Sequence, residues 1–230
     1  MKADSDVLIL GGGCAGLSLA RELAGFGARC PSARIIEQRA RYENDRTWCF
    51  WGDNGALMSH LSDHQWSRAL LRARGQVITF DCIKHPYHMI SGARFYGDAL
   101  QKIADVPQIQ LEKGVTILSE PRLINGLWQI ETDVGVRRGQ KLIDTRGHVK
   151  SRQQHEAPIL WQSFLGHEIT CEEPIFDPAT VTLMDFADDS SGRIVFTYLL
   201  PLSAKRALIE VTVFGKSPVT PAELASPLQQ

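Results

Sequence analysis

Three glycines near the N-terminus have the spacing of a nucleotide-binding loop. Gly11, Gly13 and Gly16 follow the pattern G-x-G-x-x-G. In such a loop the glycines allow a tight turn, close approach of the backbone to a pyrophosphate, and close packing of a helix on a strand. Glu37 follows about 20 residues later, where a carboxylate can bind ribose hydroxyls. Because a carboxylate there disfavours a 2′-phosphate, the loop predicts FAD or NAD rather than NADP.

A later segment favours FAD over NAD. An NAD domain would continue as alternating strands and helices, whereas this chain leaves that pattern early. It returns with the apolar run Leu142–Asp144, followed by Thr145, Arg146 and Gly147. A late strand that ends in glycine is typical of flavoproteins of the glutathione-reductase type. An ordinary strand and turn would give the same sequence pattern.

Two further stretches contain residues that could do chemistry. Residues 45–51, DRTWCFW, hold Trp48 and Phe50, which either cover the core or line a pocket whose rings stabilise a cation. Glu210 lies in the strand-like segment LIEVT, on the face opposite Ile209 and Val211. It therefore points either to water, which the sequence alone favours, or into a partly apolar cavity.

The elements that must position these residues predict an α/β fold. A strand at Asp6–Leu10, a helix at Cys14–Ala24 and a strand at Arg34–Glu37 form a βαβ unit. Helical spacing is also expected over 60–74 and 94–104. After residue 164 the pattern changes to four alternating segments at 166–170, 180–186, 193–200 and 207–214, which predict an antiparallel sheet.

These elements predict an FAD/NAD(P)-binding Rossmann-like domain with an interleaved antiparallel β-sheet substrate domain. We expect 1–80 and 94–160 to form the FAD-binding domain and 81–93 with 161–215 to form the substrate sheet. The tail 216–230 has three prolines and no apolar period, and is expected to be poorly ordered.

Composition excludes several functions. The formal net charge of −1 comes without a basic cluster, which argues against nucleic-acid binding. No apolar run has the length of a membrane span, and the N-terminus lacks the pattern of a signal peptide. The five cysteines are scattered without a C-x-x-C pair, which disfavours a zinc site or disulfide scaffold and fits a reducing cytosol. We predict no metal site.

In addition to the glycine loop and Glu37, an ordered set of short segments resembles the bacterial lycopene β-cyclase family. These segments are Arg46–Phe50, Ile143–Gly147, Phe164–Glu168, Phe176–Pro178, Leu183–Phe186, Phe196–Ser203 and Leu208–Thr212. The resemblance implies a flavoprotein that binds reduced FAD, with NADPH as reductant. It also implies an isomerase that folds the linear ends of lycopene into β-ionone rings with no net electron transfer.

The resemblance assigns roles to individual residues. Glu210 matches the first Glu of the family's Phe-Leu-Glu-Glu-Thr-like motif, which implies that it is the catalytic acid in an apolar cavity. The second acidic position of that motif is Val211 here. The implied cofactor-binding residues are Gly11, Gly13, Gly16, Glu37, Arg46, Asp144 and Gly147. The implied substrate-binding residues are Trp48, Phe50, Phe196 and Tyr198.

The resemblance also implies a setting for the protein. A carotenoid substrate such as lycopene is insoluble in water, so we expect a cytoplasmic protein in peripheral contact with the inner face of the membrane. The sequence identifies no protein partner. Family chains continue with a glycine-and-proline segment that completes the flavin site, and nothing after Gly215 resembles it, so we expect the C-terminal part to be lacking. Two alternatives stay open, a flavin monooxygenase of the aromatic-hydroxylase type and an inactive remnant that binds flavin weakly or not at all.

Overall fold

A computed structural model of the chain describes residues 2–53, 55, 58–147, 160–187 and 192–228. In chain order, the strands and helices are β1 Ser5–Leu10, α1 Cys14–Ala24, β2 Ala33–Glu37, β3 Thr47–Trp51, β4 His64–Trp66, β5 Arg68–Ala73, β6 Gln76–Asp81, β7 Tyr87–Ser91, α2 Gly92–Ala104, β8 Ile109–Lys113, β9 Arg122–Ile124, β10 Leu127–Thr132, β11 Gly135–Asp144, β12 Trp161–Thr170, β13 Thr180–Phe186, β14 Ile194–Pro201, β15 Arg206–Gly215 and α3 Pro221–Leu228.

The chain forms two compact, interleaved units. The first unit contains 1–47 and 91–149, and the second contains 48–90 and 150–230. The chain thus divides after residue 47 rather than after residue 80 as expected. The reason is that β5 pairs in parallel with β13 and antiparallel with β6, which ties this hairpin to the sheet of the second unit.

The first unit is a six-stranded sheet in the order β8-β2-β1-β11-β10-β9. Strands β8, β2, β1 and β11 run parallel, and β10 and β9 extend the sheet antiparallel. Leu8, Ile9 and Leu10 of the central strand β1 are fully buried, as expected for a strand covered on both faces. This arrangement brings the carboxyl ends of β1, β2 and β11 to one edge, where the glycine loop follows β1.

The second unit contains a six-stranded sheet, β12-β15-β14-β13-β5-β6, and a three-stranded sheet, β3-β7-β4. The four strands expected after residue 164 are confirmed as β12 to β15, and the helix expected at 94–104 is confirmed as α2. The helix expected over 60–74 is wrong, since this segment holds a short 3-10 turn, β4 and β5. Long-range pairing decides the outcome: Ala69 pairs with Val181, and both are fully buried.

The C-terminal tail also differs from the expectation. Residues Pro221–Leu228 form helix α3 instead of a poorly ordered segment. Thr220 and Glu223 form a capping box, in which the Thr220 hydroxyl accepts from the Glu223 amide at 3.4 Å and the Glu223 carboxylate accepts from the Thr220 amide at 3.1 Å. Leu224 is buried against Val211 and Val213, so one face of β15 stabilises the helix.

Candidate functional site

The three glycines of the loop differ in their backbone conformation and in the space around them. Gly11 has a φ of +94°, a conformation that side chains rarely adopt. A Cβ on Gly16 would lie 2.0 Å from the carbonyl oxygen of Gly11, so helix α1 can approach β1 only without one. A Cβ on Gly13 would meet nothing within 4 Å. The loop is therefore crowded on its inner side and open at Gly13.

Glu37 is buried beneath the loop and holds it in place. Its Oε2 accepts from the Gly12 amide at 2.7 Å, and its Oε1 accepts from the backbone amide and Nε of Arg39 at 2.8 and 3.0 Å. Burial alone would raise the pKa of Glu37, but the hydrogen bonds and charge of Arg39 and the Gly12 amide outweigh it and lower the pKa. Glu37 is thus a stable carboxylate at neutral pH.

Arg39 and two tyrosines complete the support of the loop. The Arg39 guanidinium lies over the rings of Tyr42 and Tyr96, at 4.8 and 5.4 Å from their centroids. Its Nη2 and the Tyr42 hydroxyl both donate to the Gly12 carbonyl, at 3.2 and 2.9 Å. The sequence alone did not identify these three residues as part of the site. The one feature that could have indicated them is a basic residue, Arg39, two positions after the Glu37 carboxylate.

The end of β11 reaches the same loop. The Thr145 hydroxyl donates to the carbonyls of Leu10 and Gly11, at 2.8 and 3.0 Å. Arg146 holds Asp144 by two bonds, Nε to Oδ1 at 2.9 Å and Nη2 to Oδ2 at 2.7 Å. The strand end that the sequence singled out therefore meets the glycine loop through Thr145, with Asp144 already paired.

A cavity of about 310 Å³ lies between these elements. Its lining includes Gly11, Gly13, Glu37, Arg39, Thr145 and Arg146. Arg46 is not among its described lining residues; its side chain is exposed and donates to the Asp45 carbonyl at 3.1 Å.

This cavity fits the phosphate and ribose groups of a dinucleotide. Helix α1 begins without a side-chain cap and without an acidic residue in its first turn, so its amides remain available to an anion. Gly13 leaves space for close approach, and Arg39 and Arg146 supply positive charge. Because the Glu37 carboxylate already accepts from Gly12 and Arg39, a ribose hydroxyl bound there would share it with those donors.

In the second unit, Glu210 lies in the middle of β15, the second strand of the larger sheet. It is directly opposite Gly166 of β12 on one side and Tyr198 of β14 on the other. The carboxyl group is half-buried, which raises its pKa, and a hydrogen bond from the Thr212 hydroxyl to Oε1, at 3.2 Å, opposes that rise. The water-facing orientation that the sequence alone favoured is therefore not what is seen.

The side chains that interact with this carboxyl group are uncharged. Cys49 and Tyr87 share a hydrogen bond, and both lie within electrostatic reach of Glu210. Burial raises the pKa of Cys49 to about 11 and also raises the pKa values of Tyr87 and Tyr198, so all three are neutral at pH 7. Within the described ranges, no cation forms an ion pair with Glu210. This is an environment in which a carboxylic acid keeps its proton to higher pH.

The four expected substrate residues fall into two groups. Tyr198 and Phe196 lie on the Glu210 face of the sheet, with ring centroids 5.2 Å apart. Phe50 instead stacks on His88 at 4.9 Å, and strand alternation puts Trp48 and Phe50 on the face of β3 opposite Cys49. Cys49 and Tyr87 are thus the neighbours of Glu210 that the sequence did not reveal, because they come from the three-stranded sheet. Thr212, two residues along the same strand, shares the face of Glu210 by alternation.

His88 has a structural role. It is fully buried, and its two ring nitrogens bond to the Ser62 hydroxyl and the Gly52 carbonyl, each at 2.9 Å. Among the residues that the structure describes, no group of three or more His, Cys, Asp or Glu could hold a metal ion. None of the helices in the described ranges is long and apolar enough to cross a membrane.

Comparison with known proteins gives consistent matches. The family described as "Lycopene cyclase protein" matches residues 6–228. A lycopene beta cyclase of Synechococcus elongatus is 24% identical over an alignment of 232 positions, and this match covers 94% of this chain and 53% of that protein. The chain therefore spans about half the length of this curated relative.

Solved structures show the same fold at low identity. The p-nitrophenol 4-monooxygenase PnpA of Pseudomonas putida superposes with a TM-score of 0.68 at 12% identity, covering 99% of this chain and 62% of that one. A geranylgeranyl bacteriochlorophyll reductase-like protein of Thermoplasma acidophilum gives 0.64 at 14% identity, covering 90% and 56%. The predicted fold class, a Rossmann-like FAD-binding fold with an interleaved antiparallel sheet, is confirmed.

Proposed function

Because this chain belongs to the lycopene cyclase family, we propose that it serves in redox-neutral cyclisation of the linear ends of a carotene such as lycopene. The enzyme class would be that of an intramolecular lyase or isomerase. The observation that carries the proposal is the position of Glu210. It is a half-buried carboxyl group with a raised pKa, and the cysteine and tyrosines that interact with it are uncharged.

The proposed reaction begins with proton transfer from the Glu210 carboxyl group to a carbon of the terminal alkene. The neighbouring carbon becomes a tertiary cation, and a second alkene of the same chain attacks it, which forms the carbon–carbon bond of a six-membered ring. Loss of a proton from a ring carbon to a base then leaves the ring alkene. The Glu210 carboxylate from the first step is available as that base, so the product is an isomer of the substrate.

The residues around Glu210 suit each step. Protonation of an alkene needs a donor that still carries its proton, and burial of Glu210 raises its pKa and so favours the protonated form. The Thr212 hydroxyl stabilises the carboxylate that the proton leaves behind. The rings of Tyr198 and Phe196 offer π-faces to the cation. Trp48 and Phe50 remain predicted substrate contacts.

We further propose FAD as the cofactor of the glycine loop. The opening at Gly13, the uncapped start of α1 and the Glu37 carboxylate support this assignment. Asp144, Gly147 and Arg46 remain predictions as cofactor residues. Reduced FAD, when bound, would supply negative charge, which stabilises carbocations. The proposed reductant is NADPH, and the proposed location is the cytoplasmic face of the membrane, because the substrate is lipid-soluble.

The test is expression of the protein in cells that accumulate lycopene, followed by chromatography and mass spectrometry of the carotenoids. The proposal expects a cyclic product with the mass of lycopene, formed without net consumption of NADPH. A product heavier by one oxygen atom would instead support the monooxygenase. Unchanged lycopene together with a colourless purified protein would support the inactive remnant.

A further inference from the structure

Gly166 is a glycine in the middle of a long strand. It is exposed in the ten-residue strand β12 and directly opposite Glu210. A glycine inside a strand weakens it, because the residue loses more conformational freedom on folding and has no side chain to pack. A glycine in the middle of a strand therefore calls for a structural or functional explanation.

Neither the backbone conformation nor the local packing requires glycine at position 166. Gly166 is not among the glycines with positive φ. A Cβ on it would lie 3.4 Å from Leu208 Cδ1 and 3.6 Å from both Cβ and Oε2 of Glu210, which are ordinary contact distances. Gly139 of β11 is different, since its Cβ would lie only 2.7 Å from the Cβ of Leu8. Gly139 is required by packing, and Gly166 is not.

The effect of glycine at this position is an open space beside the carboxyl group. Side chains alternate across a strand, so the neighbours of Gly166 on the Glu210 face are Phe164 and Glu168. Between them nothing from β12 stands over Oε2. An alanine would touch the edge of Glu210, and a branched side chain would cover the oxygen.

We propose that the gap at Gly166 is the binding site for the reacting end of the substrate, the branched dimethyl terminus of a linear isoprenoid chain. The inference rests on the proposed function and adds the residue that admits the substrate to its acid. Proton transfer requires the alkene carbon to come within about 3–3.5 Å of the carboxyl oxygen. A terminus carrying two methyl groups needs the volume of a small side chain at that distance. Tyr198 flanks Glu210 on the opposite side.

The experiment is a size series at this position, Gly166→Ala, Gly166→Val and Gly166→Leu, assayed for conversion of lycopene by the purified protein. We expect kcat/KM to fall about tenfold for alanine and about a hundredfold for valine and leucine, the range that extra bulk in a hydrophobic pocket produces. The loss should appear in KM as well as kcat, because the gap binds the substrate. Gln162→Phe adds bulk to the same strand and face, four residues away, and should leave both constants unchanged.

Stability measurements keep the result interpretable. Gly166→Ala should unfold at the same temperature as the unmodified protein or above it, since the added methyl meets only ordinary contacts. If the unmodified protein cyclises lycopene and Gly166→Ala and Gly166→Val do so equally well, the inference is overturned while the proposed function stands. If the unmodified protein forms no ring, the proposed function itself fails.

Discussion

The bond between Thr212 and Glu210 allows a quantitative test of the site. Thr212 is fully buried, and its hydroxyl donates to Oε1 of Glu210 at 3.2 Å. A hydrogen bond to a charged acceptor contributes about 1.5–3 kcal/mol. The distance is long for an O–H donor, which favours the lower end of that range. Since one pKa unit corresponds to about 1.4 kcal/mol, Thr212→Val should raise the pKa of Glu210 by about one unit.

The sign follows from linkage. The pKa of Glu210 is already higher in the folded protein than its ordinary value, so the protonated carboxyl group favours the folded state at low pH. That contribution is lost as the pH rises through the folded-state pKa. Removal of the Thr212 hydroxyl destabilises the carboxylate and raises the folded-state pKa further, so the loss of folding stability should extend to higher pH.

The assay is a carbon-13 NMR titration of protein labelled at the Glu carboxyl carbons, in which Glu210→Gln identifies the resonance by its disappearance. Thr197→Val, on the other face of neighbouring β14, is the matched control and should leave the titration unchanged. A Glu210 resonance that titrates in the same pH range in Thr212→Val, or in a lower one, refutes the reasoning.

Two further predictions concern the first unit. Gly16→Ala should unfold at a markedly lower temperature in thermal melts, because its Cβ would lie 2.0 Å from the Gly11 carbonyl oxygen. Gly13→Ala should keep the unfolding temperature of the unmodified protein but lose flavin absorbance, since its Cβ would meet nothing within 4 Å. Equal effects of the two variants would contradict the loop assignment. Glu37→Gln should cost about 1–3 kcal/mol in urea unfolding at neutral pH. Because the pKa of Glu37 is lowered in the folded protein, the stability that its charge contributes is present above the ordinary carboxyl range and is lost as the pH falls through the folded-state pKa. If the two proteins still differ by the same free energy of unfolding in acid, the charge of Glu37 does not have this role.

The parts of the fold that depend on local sequence could be predicted. The strand, glycine loop and helix around Gly11 to Gly16 follow from nearby residues, and so do the alternating strands β12 to β15. Segment 60–74 could not be predicted, because its pairing with β13 lies more than a hundred residues away and overrides local helical spacing. Helix α3 had a readable capping signal in Thr220 and Glu223, but its stability also depends on Leu224 packing on β15.

The candidate site shows the same division. The types of residue, the three glycines and two carboxylates, could be read from the sequence. Their surroundings could not, because Gly166 and Tyr198 flank Glu210 only through strand register. That register converts a residue that alternation alone would direct to water into a half-buried acid. The side chains near that acid are Cys49 and Tyr87 of the three-stranded sheet rather than Trp48 and Phe50, and no local sequence pattern reveals how the two sheets of this unit pack.

The most direct test of the central claim is the rate at which purified Glu210→Gln protein converts lycopene to a cyclic isomer, compared with the unmodified protein. Glutamine keeps the shape of the side chain but has no acidic proton to donate. The account predicts a loss of at least about a hundredfold, with flavin content and the unfolding temperature at neutral pH not reduced. Ring formation by Glu210→Gln at the unmodified rate would contradict the role of Glu210 as the proton donor.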